Sequence, residues 1–348
     1  MLFLLILITP LSALAERPQA PQAHVYRVGA DLSYFNSIAN YDSGGNPQPL
    51  MSGGSYTLTG GSLSGAYDWS QWLRTSADIS FVQAHRTSDL YGEGSATGLN
   101  EISLLAQAWL PVGNFSFVPE LAVNYPLWRL DESSEHPLLG EGATRFNGGG
   151  WLIVRTTPVQ PFAYAAYVHR DSGRSGLLSY ALGAHFQHKL FYAEGSWHGF
   201  SSITDDVDTA TGTNRTVREL FLNEVNAGSF RHYAINPSLG LIRLEAGTQF
   251  GLWGFWGNIE FTTNGHNSAD GWSARGGFIF SSEAPKNYSA PPPVKATFEM
   301  QDEKYDESLF QDKPKPKPSK KIRRKVRKKK SIEKLLHETE KQLSTDEE

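Results

Sequence analysis

Between Leu99 and Tyr125 the chain alternates residue types with a period of two, and this constrains its fold more than any other feature. Ile102, Leu104, Ala106, Ala108 and Leu110 fall on one side, and Glu101, Ser103, Leu105, Gln107 and Trp109 on the other. After Pro111-Val-Gly-Asn114 the pattern resumes, with Phe115, Phe117, Leu121, Val123 and Tyr125 opposite Ser116, Glu120, Ala122 and Asn124. Successive side chains of a strand point to opposite faces, so this is a hairpin with one apolar and one polar face. Two environments fit: lipid outside with a wet lumen inside, over roughly ten residues per strand, or one half of a soluble sandwich.

The same rhythm recurs along the chain. Tyr26, Val28, Ala30, Leu32 and Tyr34 alternate with Arg27, Gly29, Asp31 and Ser33. A Gly-rich strand follows near 56–67, where Gly60-Gly61 predicts a bulge. Leu73, Ala77, Ile79 and Phe81 then oppose Arg74, Ser76, Asp78 and Ser80. Trp151 to Thr157 and Phe162 to His169 pair around a Pro-containing turn. Tyr180, Leu182, Ala184 and Phe186 oppose Ser179, Gly183 and His185, and Phe191, Ala193, Gly195 and Trp197 oppose Tyr192, Glu194, Ser196 and His198. Further strands are expected near 231–243, 249–262 and 271–280, and Val217, Leu220, Phe221 and Val225 predict a short helix inside the 201–230 loop.

These assignments give twelve strands. Long connections near 39–54, 86–98, 126–148, 171–176, 201–230 and 264–270 share one end, and tight turns near 68–71, 111–114, 157–161, 188–189 and 244–248 share the other. A transmembrane barrel sorts its loops in this way. A Greek-key sandwich does not. The expected fold is therefore all-β: a twelve-stranded antiparallel up-and-down transmembrane β-barrel with a disordered C-terminal tail.

Composition agrees. Apolar residues make up 39%, too few for a bundle of membrane helices but suitable for strands that are apolar on one face. Aromatic residues reach 12%, and Trp69, Trp72, Trp109, Trp151, Trp253 and Trp256, near the expected turns, suit interfacial girdles, while several suit lumen plugs or core equally. With no cysteine, a disulfide framework, thiol nucleophile or cysteine metal site is excluded. The histidines form no ligand spacing, so neither a metal nor a cofactor is expected. Residues 1–15 are an apolar run ending Ala13-Leu14-Ala15, the pattern of a cleaved export signal, although no Lys or Arg precedes the run.

The last expected strand, Gly271-Trp-Ser-Ala-Arg-Gly-Gly-Phe-Ile-Phe280, places Trp272, Ala274, Gly276, Phe278 and Phe280 on one face. It resembles the aromatic-ended final strand of bacterial outer-membrane β-barrel proteins of the porin-like kind. That resemblance, over residues 24–280, implies outer-membrane lipid and the barrel assembly machinery as partners. It departs from the pattern in that 68 residues follow Phe280. The domain reading is an export signal at 1–15, a short lead at 16–23, the barrel at 24–280, a Pro-rich linker at 281–319, and a basic segment with a short amphipathic helix at 320–348.

Charge divides accordingly. Residues 301–348 carry 15 Lys plus Arg and 11 Asp plus Glu, out of totals of 32 and 36, so a basic tail follows an acidic body. In an exported chain, Lys320, Lys321, Arg323, Arg324, Lys325, Arg327, Lys328, Lys329 and Lys330 point away from nucleic acid and toward cell-wall carboxylates or anionic lipid heads. A solvated tail with no partner explains the same composition.

Inward charge is the first functional candidate. Arg27, Asp31, Arg74, Asp78, Glu101, Glu120, His185, Glu194 and Arg243 fall on the polar faces, where they would tune passage of small polar solutes or pair across the bore. The second candidate is His169-Arg-Asp-Ser-Gly-Arg174, which resembles the His-x-Ser-Asn-Gly-Arg strand end of outer-membrane phospholipases. It implies His169 as base and Ser172 as nucleophile. Asp171 occupies the position of the family's serine, which shifts the hydroxyl to the other face. A third reading is a structural or adhesive barrel that displays the 126–148 and 201–230 loops.

Overall fold

The computed structural model describes residues 17–50, 54–88, 92–128, 137–210, 232 and 234–284. The chain divides into two units, Met1–Pro293 and Val294–Glu348, and every described residue belongs to the first. The expected helix in the 201–230 loop, the basic run at 320–330, the terminal helix and the export signal lie outside the described residues.

Twelve long strands run antiparallel to their chain neighbours. They are β1 (Val25–Tyr41), β3 (Ser55–Asp68), β4 (Leu73–Ser88), β5 (Gly92–Ala108), β7 (Phe115–Pro126), β8 (Arg145–Val154), β9 (Val159–Arg170), β10 (Leu177–His188), β11 (Phe191–Ser202), β12 (Ser238–Phe250), β13 (Trp253–His266) and β14 (Ser268–Ser281). Two short segments complete the sheet: β2 (Pro47–Pro49) pairs with β1, and β6 (Leu110–Val112) continues the line of β5 past Trp109. Pairing of β14 with β1, from Arg27 opposite Ser281 to Tyr41 opposite Ser268, closes the sheet into a barrel. Each of the twelve long strands thereby has a neighbour on both sides, as a sheet surrounded by lipid requires.

Alternation sets which face each residue takes. Leu121 is 70% exposed, Leu63 and Leu182 are each 62% exposed, and all three point outward. Their chain neighbours Glu120, Ser62 and Ala181 are buried inside. The longest strands have 17 residues. At about 3.3 Å per residue such a strand, even when tilted, exceeds a hydrocarbon core of about 30 Å. It therefore projects beyond the bilayer, which is why the strands outrun the ten residues expected. No helix among the described residues is long and apolar enough to cross a membrane.

Several expectations change. The connection expected at 86–98 is strand to Ser88 and again from Gly92. Gly60-Gly61 lies in regular ladder, and the bulge lies one strand away, where Ile79 opposes Ile102 but Phe81 opposes Leu99. That bulge turns both Asn100 and Glu101 inward, where both are buried. In the last third, the strands expected at 231–243 and 249–262 sit too early, while that expected at 271–280 lies within β14. The turn expected at 244–248 is Gly251-Leu252, and the connection expected at 264–270 is the single residue Asn267, which has φ 44°. The reason is that Ala234 and Ile235 are buried inside the long-loop mouth and mimic the start of a strand.

Candidate functional site

Both mouths of the barrel hold chain. At the long-loop end residues 137–144 fold inward: Leu138, Leu139 and Ala143 are buried, and Leu139 joins a cluster with Phe35, Tyr56, Leu58, Val82, Ala84 and Ala269. The Tyr56 hydroxyl donates to the Leu138 carbonyl at 2.8 Å. The long loop expected at 126–148 to be polar is thus apolar in its second half, and that half fills the mouth. Glu141 follows Leu139 inside. Arg170 Nη1 donates to Glu141 Oε1 at 2.7 Å, Arg174 Nη2 donates to the Glu141 carbonyl at 2.6 Å, and Arg145 reaches both Glu141 (3.9 Å) and Glu101 (2.6 Å). Burial alone would raise the Glu141 pKa, but Arg170, Arg145 and Arg174 outweigh it and hold the carboxyl down at about 2.

The middle of the bore is polar and finely paired. Arg275 grips Asp31 with Nε at 2.9 Å and Nη2 at 2.8 Å, Ser62 donates to the same carboxylate at 2.5 Å, and Arg275 lies 5.0 Å from the centre of the Trp256 ring. Glu120 is held by three neutral donors: Tyr164 Oη at 2.8 Å, Trp151 Nε1 at 3.0 Å and Gln107 Nε2 at 3.0 Å. Toward the short-turn end, Asp68 sits between Arg27 (2.7 Å) and Arg74 (2.5 Å). Arg243 pairs with Glu260 at 2.5 Å. A cavity of about 310 Å³ remains, with Asp31, Asp78, Glu120, Ser64, Tyr164 and Arg275 among its walls.

At the short-turn end the lead is not a free arm. Gln22 N donates to Asp68 Oδ2 at 2.7 Å, and Arg17 Nη1 donates to Gln160 Oε1 at 3.0 Å inside the bore. A second cavity, about 400 Å³, lies beside it and includes Trp109, His185, Tyr192 and Gln187 in its lining.

The candidates from sequence therefore separate. Arg27, Asp31, Arg74, Asp78, Glu101, Glu120, His185, Glu194 and Arg243 all lie on the inner face, most of them in ion pairs or hydrogen bonds to neighbours. Alternation alone did not single out the partners Arg17 and Arg145, nor Glu141, Arg170 and Arg174 in the plugged mouth. Arg275 was legible, being one step out of phase with the aromatic face of the last strand. The tryptophans divide as well. Trp69, Trp72 and Trp253 are exposed, whereas Trp151 is fully buried in a cluster with Val118, Ile153, Phe162 and Tyr164, against which Trp109 packs, and Trp256 faces the central cavity.

His169 and Ser172 form no catalytic pair. His169 is exposed on the outer face of β9 and lies tilted beside Phe146, with ring centres 6.3 Å and planes 34° apart. Ser172 is an exposed turn residue at φ 59°, and its hydroxyl donates to Asp171 Oδ1 at 3.1 Å. Acyl transfer needs the base to take the nucleophile's proton, and here that hydroxyl bonds elsewhere. Among the described residues no group of three His, Asp or Glu side chains could hold a metal ion.

No family model and no curated protein matches the chain. Among solved structures it is similar to an outer membrane channel from Pseudomonas putida F1, with a TM-score of 0.58 and 10% identity over 79% of this chain and 99% of that one. This chain has the outer-membrane β-barrel fold. The translocator domain of the autotransporter NalP from Neisseria meningitidis also matches, with a TM-score of 0.40 and 12% identity over 74% of this chain and 88% of that one. At 10% identity, what the barrel shares with the channel is its fold.

Proposed function

We propose that this barrel is a narrow, normally closed channel of the bacterial outer membrane for small polar solutes. The observation that carries the reading is the bore itself: a closed apolar-outside wall around a charge-paired interior, with a cavity of about 310 Å³ at its centre. Paired charges of both signs across a narrow passage favour polar over apolar solutes, because they replace part of the hydration shell that a solute sheds. The likeness to a protein described as an outer membrane channel supports the same reading. Residues 137–144 close one end and the lead at 17–22 narrows the other. The short-turn end, where the lead enters and β14 finishes, faces the periplasm in this reading, as short turns do in such barrels.

The basic run Lys320–Lys330 follows β14 and, on this orientation, tethers the barrel to peptidoglycan carboxylates. Co-sedimentation with purified peptidoglycan should fall when residues 313–348 are deleted and be restored by nothing but a basic segment. Equal co-sedimentation of both forms would remove the tether from the proposal.

Planar-bilayer recording tests the channel. Wild-type protein should give rare, small openings. A variant lacking residues 137–144, confirmed as folded by its heat-modifiable gel mobility, should give steady ohmic current. A folded deletion variant that passes no current would overturn the reading.

A further inference from the structure

Glu194 and Glu245 are direct cross-strand partners on β11 and β12, both on the inner face, and His185 of β10 is the partner of Glu194 on its other side. Side chains so placed have Cβ atoms about 4.5–5.5 Å apart, and like charges there destabilise the pair unless something positive sits between them. The chain's own lead supplies it. Arg17 Nε lies 3.5 Å from Glu194 Oε2, while its Nη1 bonds Gln160 across the vestibule.

The surroundings are built around that charge. Tyr192 stacks on His185 with ring centres 5.2 Å apart and planes 26° apart, and its hydroxyl donates to Glu245 Oε1 at 2.9 Å. The ring lies over Gly247, where any Cβ would run into it, so this glycine is what lets the aromatic wall stand. His185 Nδ1 is 3.3 Å from Glu194 Oε2. The neighbouring cation Arg27 is engaged by Asp68 at 2.7 Å, and Lys189 and Arg155 line the same cavity at its rim. Beside the Arg17 side chain the cavity of about 400 Å³ continues past Gln19, Trp109 and Gln187, which leaves room for the body of a solute. The lead's backbone is anchored further back, where Gln22 N and His24 N donate to Asp68 at 2.7 Å each.

We propose that this vestibule is a binding site for a guanidinium-bearing solute, and that Arg17 is a tethered occupant which such a solute displaces. A planar fork of N–H donors matches a carboxylate and an amide oxygen held at a fixed separation, and an aromatic wall favours the same delocalised cation. The proposal extends the channel reading by naming the class of solute that pauses at its inner mouth. Binding itself does not require that current flow.

Calorimetric titration of L-arginine into the folded full-length protein in detergent tests it, with L-citrulline as the uncharged isostere. Against wild type, Arg17→Ala should bind L-arginine about tenfold more tightly, since a competitor tethered at millimolar effective concentration has been removed. It should not bind L-citrulline. Glu194→Gln in the Arg17→Ala background should abolish the gain, and Glu245→Gln in that background is the second variant should the first not yield the heat-modifiable folded form. The site is wrong if Arg17→Ala binds no more tightly than wild type, if L-citrulline binds equally, or if the folded carboxylate variant retains the gain. Binding without conductance in the plug-deletion variant would leave the site standing and sink the channel. Conductance without binding would do the reverse.

Discussion

At Glu141 burial and charge act in opposite directions, and charge wins: three arginines hold the carboxyl at about 2 despite burial that alone would raise it. Its folded pKa lies below the ordinary glutamate value of about 4.3. The stabilisation it gives the seated loop is therefore complete above that ordinary value and is lost as the pH falls through about 2. Open probability in planar bilayers should stay flat from about pH 8 to 5 and rise toward pH 2, and Glu141→Gln should be open and nearly flat throughout. A wild-type profile that stays flat would mean that the latch is held by something other than this carboxylate. At this scale the sequence was half legible. An inward carboxylate such as Asp31 or Glu120 announces itself by alternation, because its neighbours on both sides are apolar. Glu141 and Arg145 do not, since one lies in a loop without period and the other at its junction with β8.

Among the elements, β8 shows how closely the wall is fitted. A Cβ added at Gly149 would strike Ala166 Cβ and the Ala165 carbonyl on β9, atoms fixed by the ladder between the two strands. Gly149→Val should therefore deprive the barrel of its β8–β9 pairing, read as loss of the heat-modifiable folded band after refolding. Gly65→Val, where nothing lies within 4 Å of the added Cβ, should refold normally. Equal yields of the two variants would refute this account of the β8–β9 contact. Strand number, direction and loop sorting were readable because alternation and turn residues agree over most of the chain. Two things hid the rest. A period of two says which residues share a face but not which face is inside, so girdle and interior stayed equally open for Trp151 and Trp256, which line the interior. Ala234 and Ile235, buried as plug, carry the same apolar signature as the strand that follows them.

The molecule as a whole is a wall with lipid on one side and water on the other, changing at every residue. The absence of cysteine makes that directly measurable, because each introduced thiol is the only one in the chain. Leu63 and Leu121 face outward, and their neighbours Ser64 and Ala122 face the central cavity. Single-cysteine variants at these four positions, reconstituted in liposomes, can be challenged with a small charged thiosulfonate and with a lipid-soluble maleimide. Positions 64 and 122 should react with the charged reagent, and positions 63 and 121 with the lipid-soluble one alone. Labelling of positions 63 and 121 from water would contradict the barrel and everything built on its interior.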